Sequence, residues 1–149
     1  MPTAAELEKL LQPLFPGLMG VEIEVMTPEK IVAGMTVRAD LCTAGGVCHG
    51  GALMAFADTV GAVGTVANLP AGARTTTIES KTNFMGAARE QTRVTAESVP
   101  LHRGRTTQVW QTTIRSEDGK LVAVVTQTQM VLPARDAKRH QPPIGEPSE

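Results

Sequence analysis

Residues 50–69, GGALMAFADTVGAVGTVANL, carry a single charged side chain, Asp58, in an otherwise small and apolar run. No other feature of the chain restricts its fold as much. As a helix the run is about 30 Å long, and because it is apolar on nearly every side it must be covered nearly all round, by lipid or by protein. At a bilayer centre the carboxylate would cost about 2.5–3.5 kcal/mol on insertion scales. No basic flank follows the run, and the chain on both sides alternates as soluble strands do. The run therefore reads as a helix, about Gly50 to Asn68, inside a protein rather than a membrane span. A carboxylate in such a place costs several kcal/mol unless it is paired, hydrogen-bonded or protonated, so Asp58 reads as a group with a task.

The flanking sequence supplies candidate cover. TAAELEKLLQPLF opens with Thr3 and Glu6 at capping-box spacing, and Leu7, Leu10, Leu11 and Leu14 recur on one helical face. Pro13 and Pro16 are expected to close that short helix. In GVEIEVMTPEKIVAGMTVRAD, Val21, Ile23 and Val25 alternate with Glu22 and Glu24, and Ile31, Ala33, Met35 and Val37 follow the same period. Two strands joined through Thr27–Lys30 are expected there, with LCTAGGVCHGG a loop after them. After the helix, ARTTTIESKTNFM, EQTRVTAESVPLHR, RTTQVWQTTIRS and KLVAVVTQTQMVLP are four strand candidates rich in Thr and Val. The Asp-Gly of SEDGK and the glycine of LHRGR mark hairpins, and sequential antiparallel pairing of the four is expected. The tally predicts an α+β layout in which one curved antiparallel sheet wraps around one long central helix. The hotdog fold has that layout, although the pattern alone leaves other α+β layouts open. The expected organisation is a helical segment over 1–17, the main domain over 18–133, and a disordered tail over 134–149, where periodicity is absent and prolines recur.

Composition narrows the function. The net charge is −1, and the aromatic residues are one Trp and three Phe. That offers neither the basic patch nor the stacking rings of a nucleic-acid binder. Two cysteines make no disulfide framework, and a reducing cytoplasm is the expected location. Cys42, Cys48 and His49 do not have zinc-pair spacing, so the thiols are read as buried and no metal or other cofactor is expected.

HGGALMAFADT resembles the signature of hotdog-fold acyl-CoA thioesterases of the phenylacetate-pathway and 4-hydroxybenzoyl-CoA type. Those have His-Gly-Gly at the start of the central helix and an acid nine residues after the His, which here are His49, Gly50, Gly51 and Asp58. The Asp58–Thr59 pair is more similar to the phenylacetate branch, and the resemblance spans roughly residues 20–133. It implies hydrolysis of an aromatic or medium-chain acyl-CoA by a homodimer with composite sites, or by a dimer of such dimers, without membrane or nucleic-acid partners. It also puts Thr77 beside the acid or its water, and Arg103, Arg105 and Thr106 where relatives hold the CoA phosphates. Six residues before the His the family often carries Asn or Gln, and this chain has Thr43. A threonine there reaches less far toward water or substrate.

The residue types suit that chemistry. Thioester hydrolysis needs donors aimed at the carbonyl oxygen and a nucleophile at its carbon. The N–H groups of a helix's first turn have no partner within the helix, and Gly50 has no side chain to block a carbonyl. Asp58 can act as base for a water or attack directly. Eight residues of helix separate them by about 12 Å, too far for one carbonyl to meet both, so the acid is expected from a second copy of the chain. Two other readings are a hotdog dehydratase or hydratase, which needs a differently placed His, and a non-catalytic acyl-CoA binding module, which the Thr43 departure favours.

Overall fold

The computed structural model describes residues 3–134. The expected disorder of the tail concerns residues that lie, apart from Ala134, outside that range. The elements are α1 (Ala4–Leu11), α2 (Phe15–Met19), β1 (Glu22–Met26), β2 (Ile31–Thr36), a 3-10 turn (Ala39–Leu41), β3 (Cys42–Thr43), β4 (Val47–Cys48), α3 (Gly50–Val66), β5 (Arg74–Phe84), β6 (Arg93–Arg103), β7 (Thr107–Ser116) and β8 (Leu121–Leu132). Six strands form one antiparallel sheet in the order β1-β2-β6-β7-β8-β5, and α3 packs across it against β2, β6, β7, β8 and β5. This is the hotdog arrangement. No helix among the described residues is long and apolar enough to cross a membrane.

Local chemistry accounts for the ends of the elements. Thr3 Oγ1 accepts from the Glu6 N–H while Glu6 Oε2 accepts from the Thr3 N–H, which completes the capping box of α1. Pro16 does not close α1 as expected; it sits in the first turn of α2, where a missing N–H costs nothing. Gly20, at φ 76°, ends α2 in the left-handed conformation. The segment expected as loop contains the short β3–β4 ribbon, with Cys42 opposite Cys48. Both hairpins expected around Gly104 and Gly119 form.

Sequential pairing of the last four strands holds only for β6, β7 and β8. β5 pairs with β8 instead, at the far edge of the sheet, and β6 pairs with β2. The link between β5 and β6, residues 85–92, has no two-residue turn signal and is long enough to carry the chain back to the middle of the sheet. It is anchored on the way by the Cys48 N–H on Ala88 O and the Gly86 N–H on Val122 O. β5 is therefore an eleven-residue edge strand with one side of its backbone unpaired among the described residues.

The core lies between α3 and the sheet. Phe56, Val60 and Val63 of α3 meet Ile31, Met35, Val94, Ile114 and Val125, and Leu7 and Met19 of the leading helices join the same cluster. Gly61 and Gly64 let α3 come close: a Cβ on Gly64 would lie 2.8 Å from the Trp110 ring, and one on Gly61 would overlap the Gln127 amide. Cover of α3 is nevertheless incomplete. Gly51, Met54, Ala55, Asp58 and Ala62 form a stripe along the helix that this chain's own sheet leaves partly open.

Candidate active site

The start of α3 is built around His49. As N-cap it accepts the Ala52 and Leu53 N–H groups on its carbonyl and the Gly51 N–H on its ring Nδ1, at 2.9 Å. A neutral ring that accepts at Nδ1 carries its proton at Nε2, so the free side of His49 is a donor. The Gly50 N–H has no acceptor among the described residues. Of the two glycines, it is Gly50 that offers an open donor along the helix axis, where the dipole favours negative charge. The Phe84 ring, at the end of β5, lies 3.0 Å from where a Gly50 Cβ would be, so it stands beside that donor.

Two turns further on, Asp58 is half-buried and held from the sheet. Its Oδ1 accepts from Thr77 Oγ1 at 2.7 Å and from Gln127 Nε2 at 3.3 Å. Gln127 Nε2 also reaches the Asp58 carbonyl, at 3.2 Å. Gln129 Nε2 donates to Thr77 Oγ1 at 2.7 Å, and Gln129 Oε1 accepts from Thr75 Oγ1 at 2.9 Å. The Gln129 and Thr77 donors point in turn toward the carboxylate, while Thr75 Oγ1 also lies within donating distance of Met130 O, at 3.0 Å. Both donors land on Oδ1, and Oδ2 has none among the described residues. The carboxylate is thus held by one oxygen and open at the other.

A bulge in β5 makes this possible. The register against β8 shifts between Thr77 and Glu79, so Thr75, Thr77, Ser80, Thr82 and Phe84 share the helix-facing side while Ile78 turns out. Three polar atoms on this side are buried without a partner among the described residues: Ser80 Oγ, Thr82 Oγ1 and Gln127 Oε1.

The other expected site residues are dispersed. Thr43 is exposed on the β3–β4 ribbon and is not among the hydrogen-bond partners of Asp58. Arg103 is committed at the far end of α3: its Nη1 donates to Pro28 O and Asn68 Oδ1, each at 3.2 Å, with Glu29 3.9 Å away. Arg105 makes no ion pair among the described residues and, with Thr106, lines a cavity of about 340 Å³ beside Pro70 and Val131. Burial pushes the Cys48 thiol up to about 11, so it is a poor nucleophile at neutral pH.

Sequence reasoning missed Gln127, Gln129 and Thr75. The signal was present. In TQTQM the two glutamines fall in phase with the buried Val125, at inward positions where an apolar residue is the ordinary choice.

Residues 45–123 match the thioesterase superfamily. A Haemophilus influenzae protein whose name assigns it to the esterases is 33% identical over 114 residues, 76% of this chain and 82% of its own length. The 1,4-dihydroxy-2-naphthoyl-CoA hydrolase of Escherichia coli is 29% identical over 116 residues, 78% of this chain and 85% of the hydrolase. The crystal structure of a thioesterase from Haemophilus influenzae superposes with a TM-score of 0.86 at 29% identity, covering 93% of this chain and 96% of that one.

Proposed function

The chain belongs to the thioesterase superfamily and is a thioester hydrolase; from that premise we propose that it cleaves aromatic or medium-chain acyl-CoA at sites shared between two copies. The observation that carries this reading is the pairing of an open helix-terminal donor, Gly50 N–H, with a carboxylate held by one oxygen and free at the other. A thioester carbonyl accepts from the Gly50 N–H. Asp58 Oδ2 of the other copy takes a proton from a water as that water's oxygen bonds to the carbonyl carbon. Negative charge gathers on the carbonyl oxygen, where the N–H and the helix dipole stabilise it. Collapse breaks the C–S bond, and the CoA thiolate leaves with the proton that Asp58 holds. Direct attack by Asp58 through an anhydride balances equally, and trapping of that anhydride by hydroxylamine, which the general-base route never forms, separates the two.

What supports a second copy in this reading is the helix itself, since about 12 Å separates Gly50 from Asp58 along its axis. β5 suits the joint because its outer edge is unpaired among the described residues. Antiparallel pairing of β5 with its copy about a two-fold axis at Lys81 sets Ser80 opposite the partner's Thr82, so the two unpartnered hydroxyls meet. The same register sets the bulge at Thr77–Ile78 opposite the partner's Phe84, and hence Asp58 near the partner's Gly50. The open stripe on α3 is covered in the same step. Arg105 and Thr106 are the CoA-phosphate contacts in this reading, with Arg103 bracing the hairpin.

The test is release of free thiol from acetyl-, hexanoyl-, benzoyl- and phenylacetyl-CoA by the chain and by Asp58→Asn. The expected result is turnover that falls at least ~10²-fold in the variant, the scale of losing a general base. Equal turnover by both proteins removes Asp58 from the mechanism, and no thiol from any ester overturns the substrate class.

A further inference from the structure

We propose that the cavity of about 450 Å³ beside the start of α3 receives the acyl group of the thioester, and that Phe15 and Leu18 of α2 set which acyl groups fit. The proposal rests on the thioesterase reading above and assigns its acyl side. His49 and Gly51, which flank the open Gly50 N–H, both line the cavity. A carbonyl held at that N–H has two substituents, the acyl chain and the sulfur arm, and one of them turns into this space.

The lining favours the acyl chain. Phe15, Leu18, Leu41 and Ala52 give it an apolar wall. Its one cation is already committed: Arg38 Nε and Nη2 bond the Asp40 carboxylate at 3.0 and 3.1 Å, and Nη1 and Nη2 bond the Met19 and Leu18 carbonyls at 3.0 and 2.9 Å. Nothing there is left to neutralise a phosphate. A closed apolar cavity of about 150 Å³ already holds benzene, so an open one three times larger takes a substituted ring or a medium chain. Phe15 and Leu18 are 58% and 71% exposed in the single chain, and an acyl group lying on them would remove that apolar surface from water.

Arg38 is then a positioning residue. Its two bonds to the last carbonyls of α2 hold the helix bearing Phe15 and Leu18 at a fixed distance from α3, and a cation suits that helix end. The guanidinium holds the Asp40 carboxyl below its ordinary range, so the clamp stays ionised in neutral solution. Phe15 and Leu18 precede residues 45–123, the part matched to the superfamily, so they can vary without altering His49, Gly50 or Asp58.

Leu18→Trp and Leu18→Ala test this, because the side chain is exposed and both variants should fold. Leu18→Trp should lower the kcat/KM ratio of phenylacetyl-CoA to acetyl-CoA about tenfold or more, and Leu18→Ala should raise it, the scale of refitting an apolar pocket. Calorimetric binding of S-phenacyl-CoA, a thioether that cannot hydrolyse, is compared with binding of CoA alone. Leu18→Trp should weaken the thioether about tenfold more than CoA. Arg38→Gln should raise KM for phenylacetyl-CoA with kcat retained, and Arg38→Lys should recover part of the loss. Unchanged ratios in both Leu18 variants overturn the proposal. So does an equal loss for thioether and CoA, which would assign the cavity to the sulfur arm. If no ester releases thiol, the hydrolase reading fails by itself, and the binding comparison still decides the cavity.

Discussion

Thr77 Oγ1 lies 2.7 Å from Asp58 Oδ1 and accepts from Gln129 Nε2 at the same distance, so its one proton is committed to the carboxylate. The hydroxyl thus does two jobs, and its replacements should separate them. Thr77→Ala should lower kcat about tenfold and cost about 1–3 kcal/mol, because Gln129 is left without its acceptor. Thr77→Ser should keep both. Steady-state kinetics with urea unfolding measures the pair of effects, and an alanine variant with normal kcat would leave Thr77 a purely structural residue.

Gln127 reaches Asp58 only because Gly61 leaves room for its amide. Gly61→Ala should push the amide away, with a loss of about 1–3 kcal/mol for overpacking and a fall in kcat. Adding Gln127→Ala should restore stability by emptying the space, but not activity. If the two changes are additive in stability, the two residues are not coupled through that contact.

The proposed interface places Lys81 on its own two-fold axis. Directly opposed residues in an antiparallel pair have Cα atoms about 4.5–5.5 Å apart, within disulfide reach. Lys81→Cys should therefore cross-link into dimers on mild oxidation, against a parent whose native thiols serve as the control. A monomeric product on a non-reducing gel argues against this register.

Sharing of the site can be read from activity. Gly50 is the first residue of α3, where proline is tolerated, so Gly50→Pro removes the donor and keeps the helix, provided the tip of the Phe84 ring gives way by a few tenths of an ångström. Gly50→Pro and Asp58→Asn, each inactive, are unfolded and refolded together in equal amounts. Half the dimers are then mixed, and one of the two sites in each is intact, so about a quarter of parental activity should return. A mixture no better than its components would mean that one chain supplies both groups.

The two arginines of the β6–β7 hairpin should behave differently. Arg105→Ala should raise KM for acyl-CoA with little change in kcat, and the effect should shrink in high salt. Arg103→Ala should act on stability instead, since its guanidinium ties Pro28 to Asn68. The same KM for Arg105→Ala and the parent at low salt would return Arg105 to the plain surface.

Much of this architecture is legible in local pattern. The apolar run around Asp58 forms α3 within two residues of its expected end, and the Thr3–Glu6 box caps α1. The glycines at 104 and 119 turn the two hairpins. Each rests on forces acting within a few residues: helical periodicity, reciprocal capping bonds, and turn geometry that only certain residues adopt without strain. The spacing of His49, Gly50, Gly51 and Asp58 is equally local, because one helix and its cap carry all four.

The placing of β5 is not local. An alternating strand declares which side chains share a face, but not which strand lies beside it, since every strand offers the same backbone donors and acceptors. The route of residues 85–92 sends β5 to β8 rather than β6, and that choice brings Gln127 and Gln129, about fifty residues later in the chain, onto Thr77 and Asp58. The bulge at Ile78 then decides which hydroxyls face the helix. Sequence alone determined that a carboxylate would sit in an apolar helix and that a glycine would open the helix start. Tertiary structure decided what holds that carboxylate and which strand stands at the edge of the sheet, because those outcomes depend on pairing energies between segments far apart in the chain.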